Sequence, residues 1–205
     1  MGTVMHWRAR WRDGEDVDAA EEAVCARVMD AGIGGGPRRV LVPMSGASPD
    51  IDALRKRGHA VVAVDCAPEV ARALAPLGVP ETPERGAHDG FERHVAPGEA
   101  PGAPPGPALV FYRGDIFNLT PTVLSLAGSC DALFDRRAFD ILPPSLYARY
   151  ASAVCLCLRP GSRLLVVVRG GAQARAASAA FRPHARLAAS PGCDGEVALT
   201  GITGQ

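Results

Sequence analysis

The sequence predicts an α/β protein with a mostly parallel sheet that ends in an antiparallel β hairpin. Three observations support this fold class. Short apolar runs, typical of strands buried on both faces, alternate with helical segments over most of the chain. Two of these runs, at 40–43 and 60–64, are joined by one short helix, as in a βαβ unit. Near the end, the turn cluster PGCDG at 191–195 separates two further runs and predicts the hairpin.

The helix inside the first βαβ unit has a signal at each end. Ser48 is a good N-cap residue, and Pro49 and Asp50 are favoured in the first turn. Gly58 can take a positive φ and so end the helix. These residues predict a short helix from about 49 to 57, directly between the two strands.

The second strand of this unit ends on Asp65, nineteen residues after Gly46 in the first loop. In an open parallel sheet, ligands bind outside the carboxyl ends of the strands, and an acid after the second strand accepts hydrogen bonds from ribose hydroxyls. The loop at 43–50, PMSGASPD, has one glycine instead of GxGxxG, which argues against a nicotinamide or flavin cofactor. An ordinary βαβ unit with a surface aspartate fits the same pattern.

The rest of the chain continues the alternation of helices and strands. A helix at 15–31, with Val24 and Val28 on its apolar stripe, should pack beside the first strand. Further helices are predicted at 68–77, from Pro143 onward and at 172–181, and further strands at 108–112, 131–134, 162–168, 185–188 and 197–202. Five of the strands should be parallel, and the last two form the hairpin.

The segment from Pro76 to Pro107 differs in composition from its surroundings. It contains eight prolines and six glycines and has no apolar periodicity. We therefore expect a Pro/Gly-rich loop insertion at 78–107, without secondary structure or a chemical role.

Length, charge and cysteine content restrict the class of protein. With 205 residues the chain is expected to form one domain, 1–205, whose residues 1–32 are an N-terminal segment and helix. Equal numbers of basic and acidic residues, 22 each, argue against nucleic acid or an anionic membrane as partner. No apolar run reaches the roughly 18 residues needed to span a bilayer, so we expect a soluble, cytoplasmic protein. We take it to be a monomer, although nothing in the sequence determines the oligomeric state. Six cysteines without a CxxC pair predict reduced, mostly buried thiols and no metal site.

Several polar or aromatic residues are candidates for a site. Asp115 and Ile116 follow the third strand, and Asp135, Arg136 and Arg137 follow the fourth, so they should lie at the same edge as Asp65. Arg136 could line a polar site, or it could form a structural pair with Asp135 or Asp140. Trp7 and Trp11 share one helical face, and this pair could also plug one end of the core.

Alternating β/α segments that end in a β hairpin are the pattern of S-adenosylmethionine-dependent methyltransferases with a Rossmann-like fold. Within that class, the chain resembles the thiopurine S-methyltransferase family in five motifs that occur in the same order over about residues 5–170. These are Trp7 and Trp11 as WxxxW, then VPMSGASPD at 42–50, GHAVVAVD at 58–65, GDIFNL at 114–119, and FDRRAFDILPP at 134–144.

The resemblance implies S-adenosyl-L-methionine as the cofactor and assigns roles to individual residues. Asp65 would hold the ribose. Arg136 and Asp135 would be the catalytic residues, and Arg136 would meet the cofactor or the substrate at the transfer site. Trp7 and Trp11 would cover the cofactor, because tryptophan rings attract a sulfonium cation. The remaining contacts would come from Cys66, Asp115 and Ile116 beside the adenine and from the backbone of Met44 and Gly46 beside the methionine part.

The resemblance also implies the activity, transfer of a methyl group to the sulfur of a small-molecule thiol. Two family segments are missing: Phe-His after the second tryptophan, where this chain has DGEDVD at 13–18, and GPPF after the fifth strand, where it has RGGAQARAASAAF at 169–181. Both help to enclose the acceptor. Two alternatives therefore remain: another small nucleophile, such as a hydroxyl, halide, selenium or arsenic species, or a catalytically degenerate binding protein.

Overall fold

The computed structural model describes residues 23–84, 90–98, 108–124, 129–193 and 195–204. These residues form one eight-stranded sheet with helices on both faces. In chain order its strands are β1 (Arg39–Pro43), β2 (Ala60–Asp65), β3 (Glu92–Val95), β4 (Leu109–Arg113), β5 (Cys130–Arg136), β6 (Leu158–Arg169), β7 (Ala185–Pro191) and β8 (Glu196–Thr203).

The strand order is β3-β4-β2-β1-β5-β6-β8-β7. The five central strands, β4, β2, β1, β5 and β6, are parallel to one another. At one edge β3 is antiparallel to β4, and at the other edge β8 and β7 form the antiparallel hairpin. The predicted fold class, with five parallel strands and a terminal hairpin, is confirmed.

The described residues form seven α-helices: α1 (Ala26–Ile33), α2 (Pro49–Lys56), α3 (Glu69–Ala73), α4 (Pro121–Leu124), α5 (Ala138–Ile141), α6 (Tyr147–Leu156) and α7 (Gly170–Phe181). The predicted boundaries of α2 are confirmed, because Ser48 accepts a hydrogen bond from the Asp50 N–H and Gly58 has φ 83°. Within the described ranges, no helix is long and apolar enough to cross a membrane.

Two apolar layers cover the two faces of the sheet. One layer packs α1, α2 and α3 against one face, with Met29, Ile51 and Val70 fully buried. The other packs α4 to α7 against the opposite face, with Tyr150 and Phe181 fully buried. Neighbouring residues of a strand point to opposite faces of the sheet, and here both faces are covered by helices. The central strands are therefore apolar at nearly every position.

The first helix differs from its prediction in extent and in place. Within the described part of the chain it begins at Ala26, after Val24, and ends at Ile33, while residues 15–22 lie outside that part. It packs mainly on β6 and β8 instead of beside β1. At the closest approach, a Cβ added to Gly32 would lie 2.7 Å from Leu165 Cβ. The crossover helix α2 already covers this face near β1 and β2, so α1 lies farther along the sheet.

The prediction of a structureless insertion at 78–107 is wrong for residues 92–95. These residues form β3. Its two buried residues, Arg93 and His94, point to opposite faces of the sheet and are both polar. Arg93 is paired with Glu84, and His94 Nδ1 lies 2.8 Å from Pro80 O. These polar partners replace the apolar contacts that a strand pattern normally shows, so hydrophobic periodicity could not detect the strand.

The prediction that the cysteines are reduced is wrong for one pair. A disulfide joins Cys25, just before α1, to Cys193 in the β7–β8 turn. The other four cysteines are free thiols, as predicted, and burial raises the pKa of Cys155 and of Cys157 to about 12. The bridged residues are 168 positions apart, so only the folded chain brings them together.

Candidate functional site

The carboxyl ends of the parallel strands meet at one edge of the sheet. Pro43 of β1 pairs with Val64 of β2, and Asp65 pairs with Arg113 of β4. The chain places β2 and β4 on one side of β1 and then returns to place β5 and β6 on its other side. The topological switch point of the sheet therefore lies beside β1, between β1 and β5. Ligands of open α/β sheets bind in the crevice at this point.

Asp65 connects the first two loops of this edge. Its Oδ2 accepts a hydrogen bond of 2.9 Å from the Gly46 N–H, and its Oδ1 accepts one of 2.9 Å from the Ala67 N–H. Met44 and Gly46 both have a positive φ, 50° and 49°. A non-glycine residue in this conformation is uncommon and clusters at functional sites. The structure thus brings Met44, Gly46 and Asp65 together, as the sequence predicted.

The loop after β4 adds the next group of predicted residues. The Gly114 N–H donates to the Asp65 carbonyl at 2.8 Å, which fixes this loop beside β2. Asp115 caps the short 3-10 turn Ile116–Asn118 by accepting a hydrogen bond of 3.0 Å from the Phe117 N–H. Ile116 is buried, and Cys66, directly after Asp65, is half-buried with a free thiol. The Gly114 contact therefore places the loop with Asp115 and Ile116 at the same edge as Asp65.

Arg136, at the end of β5, donates hydrogen bonds to two acids that the sequence analysis did not connect with it. Its Nη1 lies 3.2 Å from Asp50 Oδ2, and its Nε and Nη2 each lie 3.3 Å from Glu196 Oε1. Arg137 also reaches Glu196 Oε1, at 3.2 Å from Nη2. Asp50 had been assigned only to the first turn of α2, and Glu196 follows a turn cluster, so neither carried a signal for this cluster.

Asp135 lies inside the fold, below this edge. It is fully buried, and its oxygens accept hydrogen bonds from the Tyr150 hydroxyl at 2.8 Å and the Ala138 N–H at 3.1 Å. Burial raises the pKa of Asp135 to about 7. The arrangement anchors the turn that follows β5, in which Arg137 has φ 74°.

Trp7 and Trp11, predicted to cover the cofactor, lie outside the described residues. The other predicted site residues all belong to the carboxyl edge of β1, β2, β4 and β5: Met44, Gly46, Asp65, Cys66, Asp115, Ile116, Asp135 and Arg136. Among the residues with described positions, no group of three or more His, Cys, Asp or Glu side chains is arranged to hold a metal ion.

Comparison with known proteins identifies relatives of this chain. Residues 3–190 match the family model of thiopurine S-methyltransferase (TPMT). A thiopurine S-methyltransferase of Xanthobacter autotrophicus is 35% identical over 130 residues, 62% of this chain and 54% of that protein. One from Xanthomonas campestris pv. campestris is 30% identical over 178 residues, 85% of this chain and 75% of that protein. The match thus spans about half the length of the first relative.

Solved structures with the same fold include two N-methyltransferases. The 1,6-didemethyltoxoflavin-N1-methyltransferase of Burkholderia thailandensis has a TM-score of 0.65 and 18% identity, and the alignment covers 98% of this chain and 87% of that one. NodS from Bradyrhizobium japonicum has a TM-score of 0.64 and 10% identity, over 99% of this chain and 100% of that one. Both structures contain S-adenosylhomocysteine. At these identities the similarity establishes the fold.

Proposed function

Because this chain belongs to the thiopurine S-methyltransferase family, we propose that it transfers the methyl group of S-adenosylmethionine to the sulfur of a small-molecule thiol. The methyltransferase class and the cofactor are those of the family. The observation that carries the proposal is the position of Asp65, at the end of β2 and hydrogen-bonded to the loop after β1. The sulfur acceptor is supported by the family match and by the two arginines that follow β5.

The residues at this edge suit S-adenosylmethionine. A carboxylate can accept about four hydrogen bonds, so Asp65 can bind ribose hydroxyls while it accepts the two backbone N–H groups. The half-buried Cys66 would flank the adenine, with Asp115 and Ile116 at the adenine edge. The loop that carries Met44 and Gly46, both with a positive φ, would place its backbone beside the methionine part.

When bound, S-adenosylmethionine supplies a methyl group on a good leaving group, its sulfonium sulfur. The protein then has to align the acceptor and exclude water. Holding the thiol sulfur within about 3 to 3.5 Å of the methyl carbon, in line with the bond that breaks, gives much of the rate. Arg136 and Arg137 would favour the thiolate, because a nearby cation lowers the pKa of a thiol. Asp135 would keep the turn that carries these arginines in place.

The cofactor site is tested by calorimetric titration of S-adenosylhomocysteine into the purified protein and into Asp65→Ala. We expect micromolar binding to the wild type and at least about tenfold weaker binding to the variant, since charge-assisted hydrogen bonds to the ribose are lost. Asp52→Ala, which removes a carboxylate on the outer side of α2, serves as the control and should bind normally. Equal affinity of wild type and Asp65→Ala would refute the assigned site.

The acceptor is tested by transfer of labelled methyl groups to a panel of thiols and of hydroxyl, halide, selenium and arsenic nucleophiles. We expect transfer to aromatic thiols above all others. A protein that binds S-adenosylhomocysteine but methylates only another class would contradict the sulfur acceptor. A folded protein that does not bind S-adenosylhomocysteine would instead be a degenerate, non-catalytic member of the family.

A further inference from the structure

Glu196 occupies a place between the two arginines that follow β5. It begins β8, where it pairs with Arg169 of β6, and its side chain is only 4% exposed. One of its oxygens, Oε1, accepts hydrogen bonds from Arg136 Nε and Nη2, each at 3.3 Å. The same oxygen accepts from Arg137 Nε at 3.4 Å and Nη2 at 3.2 Å. A single carboxylate oxygen therefore fixes two guanidinium groups.

The second oxygen of Glu196, Oε2, is buried, and none of the described residues forms a hydrogen bond with it. Buried polar atoms are nearly always paired, and leaving a charged one unpaired costs stability. Stability alone would favour a different residue at this position. The position also lies beyond residues 3–190, the part of the chain that matches the family model.

The backbone of Glu196 is held by a chain of contacts that returns to Arg136. The Glu196 N–H donates to the Cys193 carbonyl at 2.8 Å, and the Cys193 side chain forms the disulfide with Cys25. The residue before Cys25 donates its N–H to Asp50 Oδ1 at 2.6 Å. Asp50 Oδ2 in turn accepts from Arg136 Nη1 at 3.2 Å. Arg136 is thus held by two carboxylates, Asp50 and Glu196, which are linked to each other through the backbone contacts on either side of the disulfide.

We propose that Glu196 is a positioning residue for the methyl acceptor: it orders Arg136 and Arg137 at the end of β5 so that they bind the acceptor anion. This inference rests on the proposed function and extends it to a residue outside the family match. Long arginine side chains lose much rotamer freedom when a ligand orders them, and a carboxylate that orders them in advance removes this cost from binding. Without Glu196, the acceptor has to order both arginines itself.

The test compares Glu196→Gln with the wild type in steady-state methylation of benzenethiol, together with calorimetric binding of S-adenosylhomocysteine. We expect KM for benzenethiol to rise about tenfold or more, because hydrogen bonds to a charged group are lost on both arginines. Binding of S-adenosylhomocysteine should change less than about twofold. Glu84→Gln, which removes the carboxylate partner of Arg93 at the opposite side of the sheet, is the matched control and should leave both values unchanged.

The pH dependence of kcat separates positioning from a purely structural role. Glu196→Gln removes a negative charge next to two guanidinium groups. The surroundings of the bound thiol become more positive, so its pKa falls. Asp50 of α2, Asp140 of α5 and Arg169 of β6 also face this region and are the same residues in the variant and the wild type. The rise of kcat with pH should therefore move to lower pH, which a general loss of stability would not cause.

A second variant covers the case in which Glu196→Gln does not fold. Glu196→Asp keeps the negative charge but shortens the side chain by one methylene group, so the carboxylate loses its contacts with the two guanidinium groups. KM should rise as in Glu196→Gln, whereas the pH profile should stay that of the wild type. A wild type that methylates benzenethiol, with an unchanged KM in every folded variant, would refute the role of Glu196 alone. A wild type that binds S-adenosylhomocysteine but methylates no thiol would refute the proposed function and this inference together.

Discussion

Asp135 is a fully buried carboxylate whose protonation changes in the neutral pH range. Burial, opposed by hydrogen bonds from Tyr150 and the Ala138 N–H, raises its pKa to about 7. An unfolded chain would release this proton at about pH 4. The folded protein therefore binds more protons than the unfolded chain between these two values. The stability contributed by this group is fully present below about pH 4 and is lost as pH rises through about 7.

We predict that Asp135→Asn removes this part of the pH dependence. The amide can accept from the Ala138 N–H and donate to the Tyr150 oxygen, so both contacts persist without a buried charge. Thermal unfolding followed from pH 4 to pH 8 should show a smaller fall in Tm for the variant than for the wild type. Asp52→Asn, at a more exposed carboxylate, is the control. A variant with the full wild-type fall would show that other groups cause it.

Individual residues of the site differ in how far sequence could identify them. Asp65 was predicted because it ends an apolar run and lies nineteen positions after Gly46, a spacing that has a known structural meaning. Asp50 and Glu196 gave no such signal, because their partner Arg136 lies 86 and 60 positions away from them. Local patterns predict which residues end a strand, whereas the partners of a buried charge depend on which strands become neighbours.

At the scale of elements, β3 depends on one close contact with the loop after β4. A Cβ added to Gly114 would lie 2.8 Å from Phe91 Cγ and closer still to the ring edge. Phe91 is buried and packs edge-to-face on Tyr112, with 6.4 Å between ring centroids. Glycine is therefore required here so that the segment leading into β3 can cover the sheet.

We predict that Gly114→Ala destabilises the protein by about 1 to 3 kcal/mol, the usual cost of overpacking a core. Denaturant unfolding measures this change, and hydrogen exchange should show that β3 and β4 lose protection first. Gly35→Ala, where an added Cβ has no neighbour within 4 Å, is the control. If Phe91 causes the effect, Gly114→Ala should cost much less in a Phe91→Ala background. An equal cost in both backgrounds would point to the backbone instead.

At the scale of the whole molecule, the Cys25–Cys193 disulfide joins the segment before α1 to the terminal hairpin. A bridge across 168 positions closes most of the described chain into one loop. Such a bridge stabilises the folded state mainly because it restricts the unfolded chain, typically by about 2 to 5 kcal/mol. It also fixes the turn that positions Glu196.

We predict that reduction of the protein lowers its Tm by several degrees and that Cys25→Ser/Cys193→Ser no longer responds to reductant. Alkylation of the denatured protein provides the direct count. Four of the six cysteines should react without reductant, and all six after reduction. Six reactive thiols in the unreduced protein would contradict the bridge. If reductant lowered the Tm of the serine variant as much as that of the wild type, the effect would belong to another group.

The sequence alone determined the alternation of strands and helices, the boundaries of α2, the terminal hairpin and the location of Asp65. These features follow from burial periodicity, capping residues and turn residues, all of which act over a few positions. Tertiary structure decided the rest: β3, built on buried polar pairs, the disulfide, and the carboxylates that hold Arg136 and Arg137. Each of these joins positions far apart in the chain, so its partners exist only once the sheet order is set.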